Sequence, residues 1–227
     1  MEQIKINDRL LTAIPFVRQG TRFADIGTDH AYLPIYLMKK NIISSAIAAD
    51  INQGPLDKAD ENINKYGFND SISTVLCDGL AKIEPDSVDD IAIFGMGGEL
   101  IIKIVDEAGW LKDTKKRLIL QPMTHPEKLR EYLAKNGFYI LGETLSCDRD
   151  KIYQTICAQY DGIVRDYDDF TYTFGEYIIK SKNDLLIELM SITKNKLERK
   201  VSGKKSGGED VSYELEMLKN INEYIER

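Results

Sequence analysis

The sequence predicts an α/β protein: a Rossmann-like domain followed by a C-terminal antiparallel helical, coiled-coil-type hairpin. Three observations predict it. Five short apolar runs alternate with helical stretches over the first two thirds of the chain. Two further strand-like runs then follow one another with no room for a helix between them. After about Asp161 the pattern changes to helical periodicity on both sides of a Gly/Ser-rich segment. A chain of 227 residues is long enough for one such domain plus a small appendage. The division falls at 1–161 and 162–227.

Ile6, Leu10, Leu11, Ile14 and Val17 have the spacing of a first helix, with Asn7 or Asp8 as its cap and Pro15 as its end or kink. The strand runs are Arg22–Ile26, Ser45–Ala49, Ser73–Cys77, Asp90–Phe94 and Arg117–Leu120, each bounded by Gly, Asp, Asn or Pro. Runs apolar on both faces belong to a parallel sheet covered by helices. The intervening helices are Tyr32–Asn41, Gly54–Tyr66, Gly98–Ala108 and Pro126–Asn136, the last stopped by Asn136-Gly137. Phe138–Leu145 and Ile152–Tyr160 form the antiparallel hairpin at the sheet edge. Beyond it, Asp166–Phe174 is acidic and aromatic. Glu176–Val201 reads as one long helix, Ser202–Gly208 as a turn or mobile tip, and Glu209–Arg227 as the returning helix.

The apolar fraction is 43%, the charged fraction 30% and the net charge -7, which exclude a generally basic nucleic-acid coat protein. Any contact with nucleic acid must be a local basic patch. Cys77, Cys147 and Cys157 are odd in number and form no Cys-x-x-Cys pair, so a reducing, cytoplasmic setting fits better than a disulfide framework. With His30 and His125 as the sole histidines, a zinc site lacks ligands at useful spacing, and no metal is expected. Met1–Ile6 lacks the apolar core of a leader, and no apolar run reaches the roughly 20 residues of a membrane span. A monomer is expected.

The first strand ends in Asp25-Ile26-Gly27-Thr28-Asp29-His30-Ala31-Tyr32. Gly27 permits a tight turn with backbone N–H groups close to a ligand. A dinucleotide fingerprint wants glycine at the next two alternate positions, which here are Asp29 and Ala31. A carboxylate at Asp29 would repel a pyrophosphate but suits a phosphate-free cofactor with a cationic head, such as S-adenosylmethionine. On this motif alone, a βα turn without a ligand reads the same way. Asp50 ends the second strand, 23 residues beyond Gly27, near the spacing of an acid that accepts ribose hydroxyls. Cys77-Asp78-Gly79 ends the third; Asp78 there is either an acceptor for an adenine amino group or a helix cap. Phe94-Gly95-Met96-Gly97-Gly98 follows the fourth strand, as backbone that can approach a flat ligand or as a turn needed by the chain alone. Gln121-Pro122-Met123 follows the fifth. All of these ends fall on the carboxyl edge of the predicted sheet, where such folds bind ligands.

Enzymes that methylate exocyclic amino groups often carry an Asn or Asp, two prolines and an aromatic after the fourth strand; this chain does not. A ring nitrogen such as adenine N1 needs no deprotonation, and a nearby carboxylate would stabilise its cationic product. Asp29 is the candidate catalytic group, and an equal reading makes it a turn-shaping or cofactor-binding residue. His30 is a hydrogen-bonder of the same loop. Tyr32 either stacks on a base or packs under the first helix, and His125 is a helix-start residue.

Ala24–Pro34, with Gly95-Met96-Gly97-Gly98 and Leu120-Gln121-Pro122, resembles the bacterial tRNA (adenine-22-N1)-methyltransferase family over nearly the whole chain. The resemblance implies a Rossmann-like class I methyltransferase domain with a C-terminal coiled-coil hairpin. It implies methyl transfer from S-adenosylmethionine to N1 of adenine 22 in the tRNA D-arm. On it, Asp25, Gly27, Asp50, Asp78 and the Gly95–Gly98 turn match cofactor positions, and Asp29 matches the acid beside the target base. With their neighbours, the expected cofactor set is Asp25, Gly27, Thr28, His30, Asp50, Ile51, Asp78, Gly79, Gly95, Met96 and Gly97. Met123, where a polar residue is expected, leaves the role of the Gln121-Pro122 turn open.

The expected substrate set is Tyr32 and Gln121 at the rim with Lys196, Arg199, Lys200 and Lys204 from the basic run Lys194–Lys205, which holds one acid, Glu198. That run, at the hairpin tip, would grip RNA backbone or would merely be a solvated helix end. Lys115-Lys116-Arg117 reads as surface at the opposite sheet edge. The sequence does not set the place of Arg9, Arg18 and Arg22. A methyltransferase acting on a small molecule or protein, or a non-enzymatic binding module, are the alternative functions.

Overall fold

A computed structural model of the chain describes Ile4 and residues 6–226. Most of the Met1–Ile6 stretch considered above as a possible leader therefore lies outside the described residues. The chain divides into two compact units, Met1–Asp166 and Tyr167–Arg227.

The first unit is built on a seven-stranded sheet. Its strands are β1 (Thr21–Ile26), β2 (Ile43–Asp50), β3 (Ile72–Leu76), β4 (Asp90–Met96), β5 (Arg117–Pro122), β6 (Phe138–Asp148) and β7 (Lys151–Tyr160). They lie in the order β3-β2-β1-β4-β5-β7-β6. β1 to β5 run parallel, while β7 is antiparallel to both β5 and β6. The second strand of the hairpin therefore inserts beside β5, and the first is left at the edge. Arg149 and Asp150 join them, both at positive φ, the backbone of a two-residue turn whose twist matches that of the strands.

Alternation along the central strands feeds two cores. Ile91 and Ile93 point to the face shared with Leu118 and Leu120, while Ala92 and Phe94 point to the face shared with Phe23 and Ile119. Helices α4 (Gly98–Glu107) and α5 (Pro126–Lys135) cover the first face through Ile101, Ile104, Leu129 and Leu133. Helices α2 (Tyr32–Lys39) and α3 (Gln53–Tyr66) cover the second through Leu33, Ile35, Leu37, Ala59 and Ile63. A full burial of each such side chain contributes about 2 kcal/mol.

Two connections depart from the expected pattern. The N-terminal periodic stretch breaks into α1 (Asp8–Leu11) and a 3-10 turn at Ile14–Phe16, because Pro15 cannot continue an α-helix. Asn7 caps α1 by accepting the Leu10 amide at 3.0 Å. Between β3 and β4 the chain makes tight turns and a 3-10 turn at Pro85–Ser87, so no α-helix follows the third strand. The basic run 115–117 is also not plain surface. Lys116 is buried and donates to the Pro85 and Val88 carbonyls at 2.5 and 2.6 Å.

The second unit holds α6 (Asp169–Phe174), α7 (Glu176–Ser181), α8 (Asp184–Ser206) and α9 (Ser212–Ile225). The single helix expected over 176–201 is interrupted: Lys182 is left-handed, and Asn183 restarts the helix by accepting the Leu185 amide at 2.9 Å. The expected 202–208 tip is also corrected. Helix continues through Gly203 to Ser206, and the turn waits for Gly207 and Gly208, the latter at φ 73°. α8 and α9 pair antiparallel, with Lys194 donating to Asn222 and Lys200 and Lys204 meeting Glu214; Leu186, Met190, Met217 and Ile221 are buried. Among the described residues, no helix is long and apolar enough to cross a membrane.

Candidate active site

Parallel pairing brings the ends of five strands to one edge. In spatial order these ends present Asp78, Asp50, Asp25, Gly95 and Gln121. The loops are stitched together by backbone bonds. Gly27 and Thr28 donate to the Ala49 carbonyl at 2.8 and 3.0 Å, Cys77 to Asp50 at 3.0 Å, and Met123 to Met96 at 2.8 Å.

The two acids of the first loop have opposite environments. Asp25 is buried, and its carboxylate accepts the Thr28 hydroxyl at 2.6 Å. Burial pushes the Asp25 carboxyl up to about 6; the Thr28 hydrogen bond and the charge of Arg9 oppose that rise, while Asp29 and Asp50 add to it. Asp29, four residues on, has a side chain 52% exposed and lies 4.0 Å from the His30 ring. His30 and Ala31 are both left-handed, at φ 58°. Asn62 of α3 donates to the His30 carbonyl at 3.0 Å and fixes this unusual turn, a support with no signature in the sequence. Tyr32 is half-buried, packed against the core that includes Leu10 and Ala13, with its ring 5.8 Å from that of His30.

Asp50 uses one oxygen to accept the Asn52 amide at 2.7 Å, and Ile51 beside it is 61% exposed. Asp78 is exposed and has no α-helix after it to cap, which removes the capping alternative. Gly79 and Gly95 are at positive φ, and beyond Gly95 a side chain would meet Arg9 alone, at 3.7 Å. Gly98 serves packing: a Cβ on it would lie 2.5 Å from the His125 carbonyl oxygen. Met96 lies over Gly27, its methyl 2.4 Å from where a Cβ would be.

Gln121 does not face a substrate. It is wholly buried, and its amide donates to Thr155 Oγ1 at 2.8 Å, Arg9 O at 3.1 Å and Thr12 Oγ1 at 3.2 Å. Its carbonyl oxygen accepts Arg9 Nη1 at 3.1 Å. It therefore holds α1 on the sheet, which corrects its assignment to the substrate set. His125 caps α5 in a left-handed conformation, with Nδ1 3.1 Å from Glu127.

The four basic residues of the substrate set lie on α8 in the second unit. Lys196 and Arg199 are exposed. Lys200 and Lys204 both meet Glu214 of α9 at 2.9 Å. Glu214 is itself buried, and the Lys204 and Lys200 ammonium groups hold its carboxyl down to about 2. The acid facing this run thus comes from the returning helix, so the two lysines are not the unpaired cations that the count within the run suggested.

The residues fit a phosphate-free, cationic cofactor. A buried carboxylate with no ion pair among the described residues, two carboxylates along the rim and an open glycine approach complement such a molecule, and the acidic edge disfavours a pyrophosphate. Strand order and rim together define a Rossmann-like methyltransferase. A model of the tRNA (adenine(22)-N(1))-methyltransferase family, TrmK, matches residues 23–226. The chain belongs to that family. It is 37% identical over 193 residues to the tRNA (adenine(22)-N(1))-methyltransferase of Bacillus subtilis, spanning 83% of this chain and 81% of the relative. Among solved structures, Streptococcus pneumoniae Sp1610 in complex with S-adenosyl-L-methionine is 31% identical, with a TM-score of 0.86 over 97% of this chain and 99% of that one. TrmK of M. capricolum with S-adenosyl-homocysteine is 28% identical, with a TM-score of 0.77 over 97% and 96%.

Proposed function

We propose that the protein transfers a methyl group from S-adenosylmethionine to N1 of adenine 22 in the tRNA D-arm, working in the cytoplasm as a monomer. The observation that carries this reading is the pairing of a buried Asp25 with an exposed Asp29 on one strand-end turn, in a chain of this family. The cofactor, when bound, supplies a methyl group activated by a sulfonium centre. Asp25, with Gly27, Thr28 and His30 around it, fits the cationic end of the cofactor. Asp50 and Ile51 fit the ribose and a face of the adenine, and Asp78 and Gly79 the adenine edge. Gly95, Met96 and Gly97 line the approach to the transferred methyl group.

Adenine N1 carries a lone pair at neutral pH, so no residue has to remove a proton before attack. The product is a cation, and the exposed Asp29 carboxylate is the group that would stabilise it. Because N1 lies on the Watson–Crick edge, the base has to leave its stack, and phosphate and shape contacts must hold the rest of the tRNA. Lys196 and Arg199, with Lys205, are exposed cations of α8 available for that purpose.

The test is incubation with labelled cofactor and unmodified tRNA, followed by mapping of the modified nucleotide. Label at N1 of adenine 22 is expected. Label on an amino nitrogen, or on another base, overturns the assignment.

A further inference from the structure

Arg9 differs from the ion-paired arginines of the first unit; Arg117, also half-buried and without an ion pair among the described residues, donates to the Phe16 carbonyl near the start of β5, away from the rim. Arg18 pairs with the buried Asp90 at 2.5 Å, Arg22 with Asp89 at 2.6 Å, and Arg130 with Glu143 at 2.6 Å. Arg9 is half-buried and has no carboxylate within ion-pairing distance among the described residues. Its guanidinium sits where the ends of β4 and β5 meet. One Nη donates to Gln121, the guanidinium carbon lies 5.8 Å from the Tyr153 ring centre, and Gly95 opens directly toward it.

The site beneath it is constructed. Gln121 is wholly buried, and Thr12 Oγ1 joins Thr155 Oγ1 at 2.7 Å and donates to Arg9 O at 2.6 Å. Three buried or half-buried side chains thus fix the backbone and one nitrogen of Arg9, while the remaining guanidinium donors have no acceptor among the described residues. A guanidinium held from below with its other donors unused is a receptor for an oxyanion.

The surrounding charge says which oxyanion. The rim presents Asp25, Asp29, Asp50 and Asp78 on a chain of net charge -7, a surface that repels an RNA backbone. We propose that Arg9 binds a phosphate of the RNA strand beside the target adenosine, and that Gln121 is the positioning residue that aims it. The proposal rests on the tRNA reading above. A guanidinium against the base itself would oppose the positive charge formed at N1, whereas a phosphate contact brings the strand to the rim without that cost.

The experiment compares the full-length protein with Arg9→Gln, Arg9→Lys and Thr12→Val, measuring kcat and KM for unmodified tRNA over a range of salt, cofactor affinity by calorimetry, and Tm. Arg9→Gln is expected to raise KM about tenfold and to reduce the slope of log KM against log salt by about 1, with kcat and cofactor affinity within about twofold. Arg9→Lys should recover most of the KM. Thr12→Val, which loosens the same clamp but keeps the charge, should leave the salt slope as in the wild type. An unchanged KM or salt slope in Arg9→Gln, or the same slope change in Thr12→Val, overturns the proposal. Wild-type turnover on tRNA in the same series tests the functional reading separately.

Discussion

The Thr28 hydroxyl donates to Asp25 Oδ2 at 2.6 Å, with both groups out of solvent. That bond favours the ionised acid, yet burial outweighs it and leaves the Asp25 carboxyl near 6. A carboxyl raised from 3.8 to about 6 takes up a proton on folding between those pH values. The fold without cofactor therefore gains from this group as pH falls through 6, and at pH 8 the ionised acid costs about 3 kcal/mol. Asp25→Asn should raise the Tm of the cofactor-free protein at pH 8 by about 6–12 °C, an advantage that disappears near pH 4. Equal Tm values at pH 8 would rule out the cost of burial. The same variant should bind S-adenosylmethionine at least about tenfold more weakly, and wild-type affinity should decline as pH drops below about 6.

Asp29 offers the contrasting case. Its exposed side chain forms no part of the packed turn beneath it. Asp29→Ala should lower kcat about a hundredfold while cofactor affinity, measured by calorimetry, changes less than about threefold. Equal losses in both would make Asp29 a cofactor residue.

Gly98 and Gly54 should respond oppositely to alanine. A Cβ on Gly98 meets the backbone oxygens of His125 and Thr124 at 2.5 and 2.8 Å, and neither can move without parting the two loops. Gly98→Ala should cost about 1–3 kcal/mol by denaturant unfolding. Gly54, in α3, faces open space, so Gly54→Ala should stabilise by about 0.5–1 kcal/mol.

Four of the cations of α8 divide into two pairs. Lys196→Gln with Arg199→Gln should weaken tRNA binding, read by gel shift, without altering Tm. Lys200→Gln with Lys204→Gln removes both partners of the buried Glu214, so its main effect should be a lower Tm. A larger loss of tRNA binding in the second pair, at unchanged Tm, would reverse this division.

The parallel strands were legible because each is short, apolar on both faces and punctuated by Gly, Asp or Pro; β1, β4 and β5 begin within a residue of where the pattern places them. The carboxyl-edge rim followed from the same alternation. What stayed hidden depends on contacts distant in sequence. Gln121 looked like a rim residue because nothing local shows that Thr12 and Thr155 converge on it from 109 and 34 residues away. Glu214 was invisible to a charge count within Lys194–Lys205 because it returns on another helix. Local preference misled at Ser202–Ser206: Gly203 is a poor helix residue by about 1 kcal/mol, and the helix runs through it to the Gly207-Gly208 pair.

The insertion of β7 between β5 and β6 also orders events during synthesis. Arg9 is made before Gln121, and Thr155 comes 143 positions after Thr12. Until β7 has been made and has entered the sheet, the Gln121 amide lacks its shortest bond and Thr12 lacks its bond to Thr155, so the clamp beneath Arg9 is incomplete. The earliest-made cation of the rim is therefore among the last groups to be seated. A nascent chain cut short before β7 can carry every acid of the first three strand ends and still have no anchored arginine to receive RNA.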